Sequence, residues 1–423
     1  MNASDESLIS SPKPKSHPGA PQENFRRGES ASFEVRLMRG LLRRLGEPPI
    51  EFVLWNGERI APAGIEPACR VRIPDRATLL SVITDPQMRF PDAYSEGRIE
   101  IEGDLVRLLE EVYLAGSRGT ASAVSRVLER LRRPHVNTLG GSRENIHHHY
   151  DIGNPFYSLW LGETMAYTCA YYPTPETTLD EAQLAKMHHV CRKLRLRPGE
   201  SVVEAGCGWG TLALHMARHY GVKVRAYNIS REQVAYARER AEREGLASQV
   251  EYVLDDYRNI SGRHDAFVSV GMLEHVGVAN YRGLGEVISR SLGDNGRGLI
   301  HSIGRNFPAP LQPWIEKRIF PGACPPSLGE MMGIFEPSDL SILDVENLRL
   351  HYAQTLRHWL ALFEGEVERV RHMFDEKFVR MWRMYLAGSV AGFTTGTLQL
   401  FQVVFASRRN NDIPRTREYL YQS

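Results

Sequence analysis

SVVEAGCGWG, residues 201–210, is the stretch on which the fold turns. A short apolar run carries an acid, Glu204, and ends in three glycines that alternate with Cys207 and Trp209. TLALHMARHY (211–220) follows with helical spacing. Glycines at a strand-to-helix turn let backbone N–H groups pass close beneath a ligand at a helix start. The GxGxG spacing alone is weak evidence, and a dehydrogenase would carry GxGxxG with an acid closing its second strand. Here the second strand, VKVRAYNIS (222–230), ends in Tyr227-Asn228-Ile229-Ser230, which argues against a nicotinamide cofactor. Working outward, REQVAYARERAERE (231–244) reads as a helix. VEYVLDD (250–256), DAFVSVG (265–271) and GLIHSIG (298–304) read as strands. This alternation predicts an α/β domain from Glu144 onward, a parallel sheet wrapped by helices.

The 423 residues suit two domains and a tail. Lys and Arg total 52 against 51 Asp and Glu, a balance that argues against general nucleic-acid binding. Five cysteines without a CxxC pair fit a reduced, cytoplasmic protein. Residues 1–31 are Ser- and Pro-rich, hold no signal-peptide core and read as a disordered tail. FEVRLMRGLLRRLG (33–46) predicts a helix with Phe33, Leu37, Leu41 and Leu45 on one face. Arg36, Arg39, Arg43 and Arg44 lie nearby. Such a helix suits an anionic bilayer surface, or packs its apolar face on its own domain. IEFVLWNGERI (50–60) is a strand entering an Asn-Gly turn. RVRIPD (70–75) and GRIEIEGD (97–104) are short strands, and LVRLLEEVYLA (105–115) is a helix. These define a small α+β domain over 32–118, a linker over 119–143 and a catalytic domain over 144–423. The uncharged stretch Leu386–Ser407 reads as a helix end, a Gly-Thr turn and a strand, LQLFQVVFA, rather than a membrane span.

Nine strings in one order carry a more specific signal. They are HHHYDIGNPFYSLWLG (147–162), MAYTCAYY (165–172), VVEAGCGWG (202–210), NISREQ (228–233), VSVGMLEHVG (268–277), LIHSIG (299–304), WIEKRIFPGACPPS (314–327), LHYAQTLRHW (350–359) and LQLFQVVFA (398–406). Through them the chain resembles the cyclopropane-fatty-acyl-phospholipid and mycolic acid cyclopropane synthase family. The resemblance implies a class I S-adenosylmethionine-dependent methyltransferase (Rossmann-like) domain preceded by a small α+β domain. The preceding domain resembles that of the phospholipid-acting members, which implies a phospholipid substrate. By the same resemblance, cofactor contacts fall on Tyr167, Thr168, Gly206, Cys207, Gly208, Trp209, Gly210, Asn228, Gln233, Asp256 and Tyr257. In methyltransferases of this layout Glu204 lies near the methionine portion and Asp255-Asp256 near the adenine. A bicarbonate ion would be held by Cys169, Glu274, His301, the backbone of Ile303, and Tyr352. Those four side chains are the implied catalytic set.

The chemistry this implies needs no enzyme nucleophile, because the alkene attacks the electrophilic methyl. It needs cation stabilisation and a base, here bicarbonate oriented by Glu274. Plainer readings stand beside these: a strand-end His is often a bonded core residue, and Cys a small apolar one. Zinc on Cys169, Glu274 and His301 lacks a close ligand pair, and His147–His149 read as the entry to a helix over the cofactor. One departure is Ser389, where the family motif YLxxCAGxF carries cysteine. The expected activity is transfer of a methylene to a cis alkene of a phospholipid. Rivals are a methyl- or methylene-branched acyl product, a small-molecule methyltransferase, and a lipid-binding protein with a degenerate catalytic domain. The expected location is cytoplasmic, peripheral to the inner face of the membrane. Oligomeric state is open, with a homodimer compatible.

Overall fold

The computed structural model describes residues 32–118 and 152–421. The tail expected over 1–31, the linker expected over 119–143 and the run His147–His149 lie outside the described residues.

Residues 32–118 build a four-stranded sheet of order β2-β1-β3-β4. Its strands are β1 (Ile50–Leu54), β2 (Arg59–Ile60), β3 (Cys69–Ile73) and β4 (Glu100–Glu102). The β1–β2 turn runs through Asn56-Gly57, where Gly57 takes φ +84° and its N–H returns to the Leu54 carbonyl at 2.9 Å. Two helices absent from the sequence reading, Arg76–Thr84 and Pro86–Ser95, lie between β3 and β4. Their signals are local: Asp75 and Asp85 cap the first turns, and Pro86 opens the second helix.

The helix Phe33–Arg44 forms, but its inner face is Val35, Met38, Leu41 and Leu42, and Phe33 is half exposed. The expected face needs correction for a geometric reason. A helix turns every 3.6 residues, so a strict spacing of four drifts by roughly 120° between Phe33 and Leu45. All four arginines face solvent.

The second sheet has seven strands, β5 (Ser201–Ala205), β6 (Lys223–Asn228), β7 (Val250–Leu254), β8 (His264–Val270), β9 (Leu292–Gly304), β10 (Leu340–Asn347) and β11 (Gln399–Ser407). Their order is β10-β11-β9-β8-β5-β6-β7. Strands β5 to β9 run parallel, whereas β11 is antiparallel to both neighbours. The parallel sheet expected from the alternation is found over β5 to β9, with β11 reversed beside it. Alternation of strands and helices constrains β5 to β9. It does not constrain β11, which follows three consecutive helices.

The stretch Leu386–Ser407 is the end of the helix Glu376–Thr394 and then β11. No helix among the described residues is long and apolar enough to cross a membrane. Helices cover both faces of the sheet. Met187, Val190, Leu212 and Val234 pack on one side, and Leu284, Ile288, Met331 and Phe335 on the other. Strand order reverses between β5 and β8, so the crevice at their carboxyl ends is where a doubly wound sheet collects ligands. The two sheets are joined by polar contacts as well as core. Trp314 Nε1 and the Arg318 guanidinium bond Asp92. Arg380 bonds the carbonyls of Tyr94 and Ile99.

Candidate active site

The glycine loop leaves β5 at that crevice. The N–H groups of Gly206 and Cys207 both donate to the Tyr227 carbonyl, at 2.9 and 3.2 Å, which ties the loop to β6. A Cβ at Gly206 would lie 2.8 Å from Met272 Cβ, so packing alone demands glycine there. At Gly208, φ +53°, a Cβ would meet no protein atom within 4 Å. Asn228 Nδ2 donates to the Gly208 carbonyl at 3.1 Å and to Gln233 Oε1 at 2.8 Å, so these two side chains brace the loop. Trp209 is buried and donates to Asn154 Oδ1 at 2.7 Å. Asp256 caps the turn Tyr257–Asn259 and takes the Arg258 N–H and guanidinium. Gly206, Tyr227, Asn228, Asp256, Tyr257 and Met272 line a cleft at the carboxyl ends of the strands. Aromatic and apolar walls with an acid and an amide at the rim suit a nucleoside.

Acid–base groups collect next to it. Glu274 sits in the turn Leu273–His275 after β8. Its Oε1 accepts the Ile303 N–H at 2.6 Å, while Oε2 is buried with no protein partner. Burial lifts this carboxyl to about 7. His301 lies two residues before Ile303 on β9, with Nδ1 3.0 Å from Gln402 Nε2. Burial, reinforced by Lys186 and Lys193, pushes it down to about 3, so the ring is neutral.

Cys169 is fully buried, with Sγ 3.1 Å from the Ala170 carbonyl and 3.9 Å from that of Leu348. Burial raises its pKa far above the ordinary thiol value, so it offers an S–H rather than a thiolate. The same Leu348 carbonyl accepts the Tyr352 N–H at 3.2 Å. The fold thus pairs Glu274 with Ile303 directly and Cys169 with Tyr352 through one peptide.

Lys186 and Tyr385 at this edge were missed in the sequence, beside Glu204, Tyr167 and Ser389, which were not. Lys186 is buried, and its Nζ donates to Thr168 Oγ1 at 2.9 Å. Its charge reaches Cys169, Glu204 and His301, and burial lowers its own pKa to about 8. Glu204 is lifted by burial to about 8, less than it would be without Lys186. The Tyr167 and Tyr385 hydroxyls lie 2.7 Å apart, and Tyr167 packs among Tyr157, Trp160 and Trp359. Ser389 donates to the Tyr385 carbonyl at 2.9 Å, one turn back on its helix. A signal for Lys186 existed: Lys186, His189 and Lys193 recur at helical spacing on one face of Leu179–Lys193, and all three are buried. Among the described residues no group of three or more His, Cys, Asp or Glu is placed to hold a metal ion.

A seven-stranded sheet with one reversed strand, and a glycine loop at its switch point, define a Rossmann-like S-adenosylmethionine-dependent methyltransferase. Within that class, the chain belongs to the mycolic acid cyclopropane synthetase family, whose model matches residues 139–403. A second model, for a domain of unknown function, matches residues 37–120. The chain is 35% identical over 389 residues to a probable fatty acid methyltransferase of Pseudomonas putida, covering 88% of this chain and 96% of the relative. It is 39% identical over 266 residues to the cyclopropane-fatty-acyl-phospholipid synthase of Escherichia coli K12, covering 63% and 68%. Among solved structures it resembles the mycolic acid cyclopropane synthase CmaA1 complexed with SAH and CTAB. That match has a TM-score of 0.60 at 27% identity, over 62% of this chain and 98% of that one.

Proposed function

We propose that this chain transfers a methylene unit from S-adenosylmethionine to the cis double bond of an unsaturated acyl chain in a membrane phospholipid. The products are a cyclopropane fatty acid and S-adenosylhomocysteine. The observation that carries the reading is Glu274. It is a buried carboxyl poised near neutrality, fixed at one oxygen by Ile303 and left without a protein partner at the other.

The residues present fit both small molecules the reaction calls for. When bound, S-adenosylmethionine supplies an electrophilic methyl group. The glycine loop, Asn228, Gln233, Asp256 and Tyr257 would hold its nucleoside end, and Thr168 and Glu204 its amino-acid end. Bicarbonate, when bound, supplies a proton acceptor. Ionised Glu274 would take its O–H, with the Cys169 thiol and the neutral His301 ring as donors. The alkene's π pair forms the new C–C bond as the C–S bond breaks. Ring closure then requires one proton to leave the transferred carbon. Tyr167 and the surrounding aromatic faces exclude water and favour the developing cation, by about 0.5–2 kcal/mol per well-placed ring. Ser389 has no part in this scheme, which agrees with its hydroxyl being turned to the helix backbone.

A second reading, a methyl- or methylene-branched product from the same site, is favoured by the Pseudomonas relative, which matches both the N-terminal region and the catalytic domain. Lipid from an expressing strain fed one cis-monounsaturated acid separates them. Upfield cyclopropane protons in the NMR spectrum are the expected result. Vinyl or branched-methyl signals without ring protons would replace cyclopropanation by branching, and unaltered lipid would remove the acyl substrate altogether. The enzyme would work on the cytoplasmic face of the membrane, held peripherally. The exposed arginines of Phe33–Arg44 support that placement.

A further inference from the structure

His301 on β9 stands directly across from Gln402 on β11, and Gln402 directly across from Glu346 on β10. Residues at one register of neighbouring strands project to the same face. The helix Leu179–Lys193 lies over that face. From it, buried Lys193 donates through Nζ to Glu346 Oε2 at 2.6 Å and to Gln402 Oε1 at 2.7 Å. His189 Nε2 is 2.8 Å from the same Glu346 oxygen. Gln402 Nε2 then reaches His301 Nδ1 at 3.0 Å.

The direction of this chain follows from donor and acceptor chemistry. An ammonium group has donors only, so the amide atom facing Lys193 must be the oxygen. That turns the amide NH₂ toward His301. A donor aimed at Nδ1 makes Nδ1 the acceptor, and a neutral ring then carries its one proton on Nε2. Glu346 anchors the far end. Burial would raise its carboxyl, but the His189 hydrogen bond and the Lys193 charge bring it down to about 2, so it stays ionised and keeps Lys193 in place.

We propose that Lys193 and Gln402 are positioning residues that lock His301 in its Nε2–H tautomer, so that the ring presents a donor and never a lone pair to the anion at the reaction centre. The inference rests on His301 being a site residue, as proposed above. It goes further in assigning a task to two residues that would touch neither cofactor nor lipid. A lone pair on Nε2 would face the oxygens of the anion and repel them, so turnover depends on a proton placed from three side chains away.

Nitrogen NMR of ¹⁵N-histidine-labelled full-length protein reads the tautomer directly, with His301→Gln used to assign the signal. At alkaline pH the wild type should show a pyridine-type Nδ1 and a pyrrole-type Nε2. In Gln402→Glu the new carboxylate accepts from both Lys193 and His301. The pattern should therefore reverse, with kcat falling about tenfold or more while the Kd for S-adenosylmethionine and the melting temperature stay close to wild type. Gln402→Leu should give a mixture of tautomers and intermediate activity. A wild-type ring protonated on Nδ1, or a Gln402→Glu variant whose ring does not reverse, overturns the lock. Reversal with full turnover overturns its role in the reaction. The tautomer is read without lipid, so a failure of the acyl-lipid assignment would show separately as a wild type inactive on every unsaturated lipid tested.

Discussion

At the scale of single residues, chemistry at this site is set by burial more than by ion pairing. Glu274 has an ordinary carboxylate identity in the sequence and an unusual one in the fold, because desolvation holds it near 7. Its ionised form accepts, and that form is lost as pH falls through about 7. Activity should therefore rise with pH across that range. Glu274→Gln should remove that limb and lower turnover by on the order of 10²-fold or more, with cofactor affinity retained in calorimetry. An unchanged pH profile in the variant would remove Glu274 as the group whose ionisation sets the activity. Gly208 offers the complementary test. No protein atom blocks a side chain there, so Gly208→Val should fold, at a strain of about 1–2 kcal/mol for its left-handed backbone. It should nonetheless fail to bind S-adenosylmethionine, since the branched side chain occupies the ligand's side of the loop. Normal affinity in the folded variant would contradict that approach.

At the scale of elements, two helices show how position converts sequence into role. Leu179–Lys193 begins with a capping box, Thr178 with Glu181, which fixes where the first turn starts. From that start Lys186, His189 and Lys193 fall on the buried face and reach Thr168, Glu346 on β10 and Gln402 on β11. Phe33–Arg44 does the opposite: its apolar stripe is consumed by its own domain core, and its arginines are left outside. Any attraction to membrane from this helix is then electrostatic, not insertion. Arg39, Arg43 and Arg44→Glu should weaken co-sedimentation with anionic vesicles, and salt should weaken the wild type in the same direction. Binding that ignores both would move the lipid contact elsewhere.

At the scale of the whole molecule, buried titratable groups of opposite kind govern stability. His215, His275 and His301 are pushed down by burial to about 3, 4 and 3. Their unfolded forms take up protons below about 6.5 and their folded forms do not, so stability falls as pH drops through that window. Glu204 and Glu274 are pushed up to about 8 and 7, and their contribution grows as pH falls toward 4.5, where it is complete. The two trends oppose each other between about 7 and 5. Below about 4.5 only the losses remain, joined by the Glu346 carboxylate. Because burial also lowers His188, His264, His351 and His358, the histidine losses outweigh the carboxyl gains, and the melting temperature should decline gently below about 6.5 and steeply below about 4.5. A melting temperature that held flat down to about pH 5 would mean the histidines are less buried than the fold places them.

The α/β class and the glycine loop were readable from residues alone, because each depends on neighbours within a few positions, whereas Cys169, Glu274, His301 and Tyr352 were singled out only through the family resemblance. A strand that ends in GCGWG, an acid at a strand end and apolar periodicities are local patterns. The two capped helices after β3 were equally local and were simply not read. What sequence could not supply was anything that depends on distance in space. The reversed direction of β11, the inner face of Phe33–Arg44 and the joining of Asp92 to Trp314 and Arg318 belong to that class. So does the row Glu346, Gln402, His301, whose members lie 56 and 101 positions apart and meet only because three strands share one register. Composition and spacing settle which side chains are available. Burial and register, which exist only in the folded chain, decide their charge and which partner each atom meets.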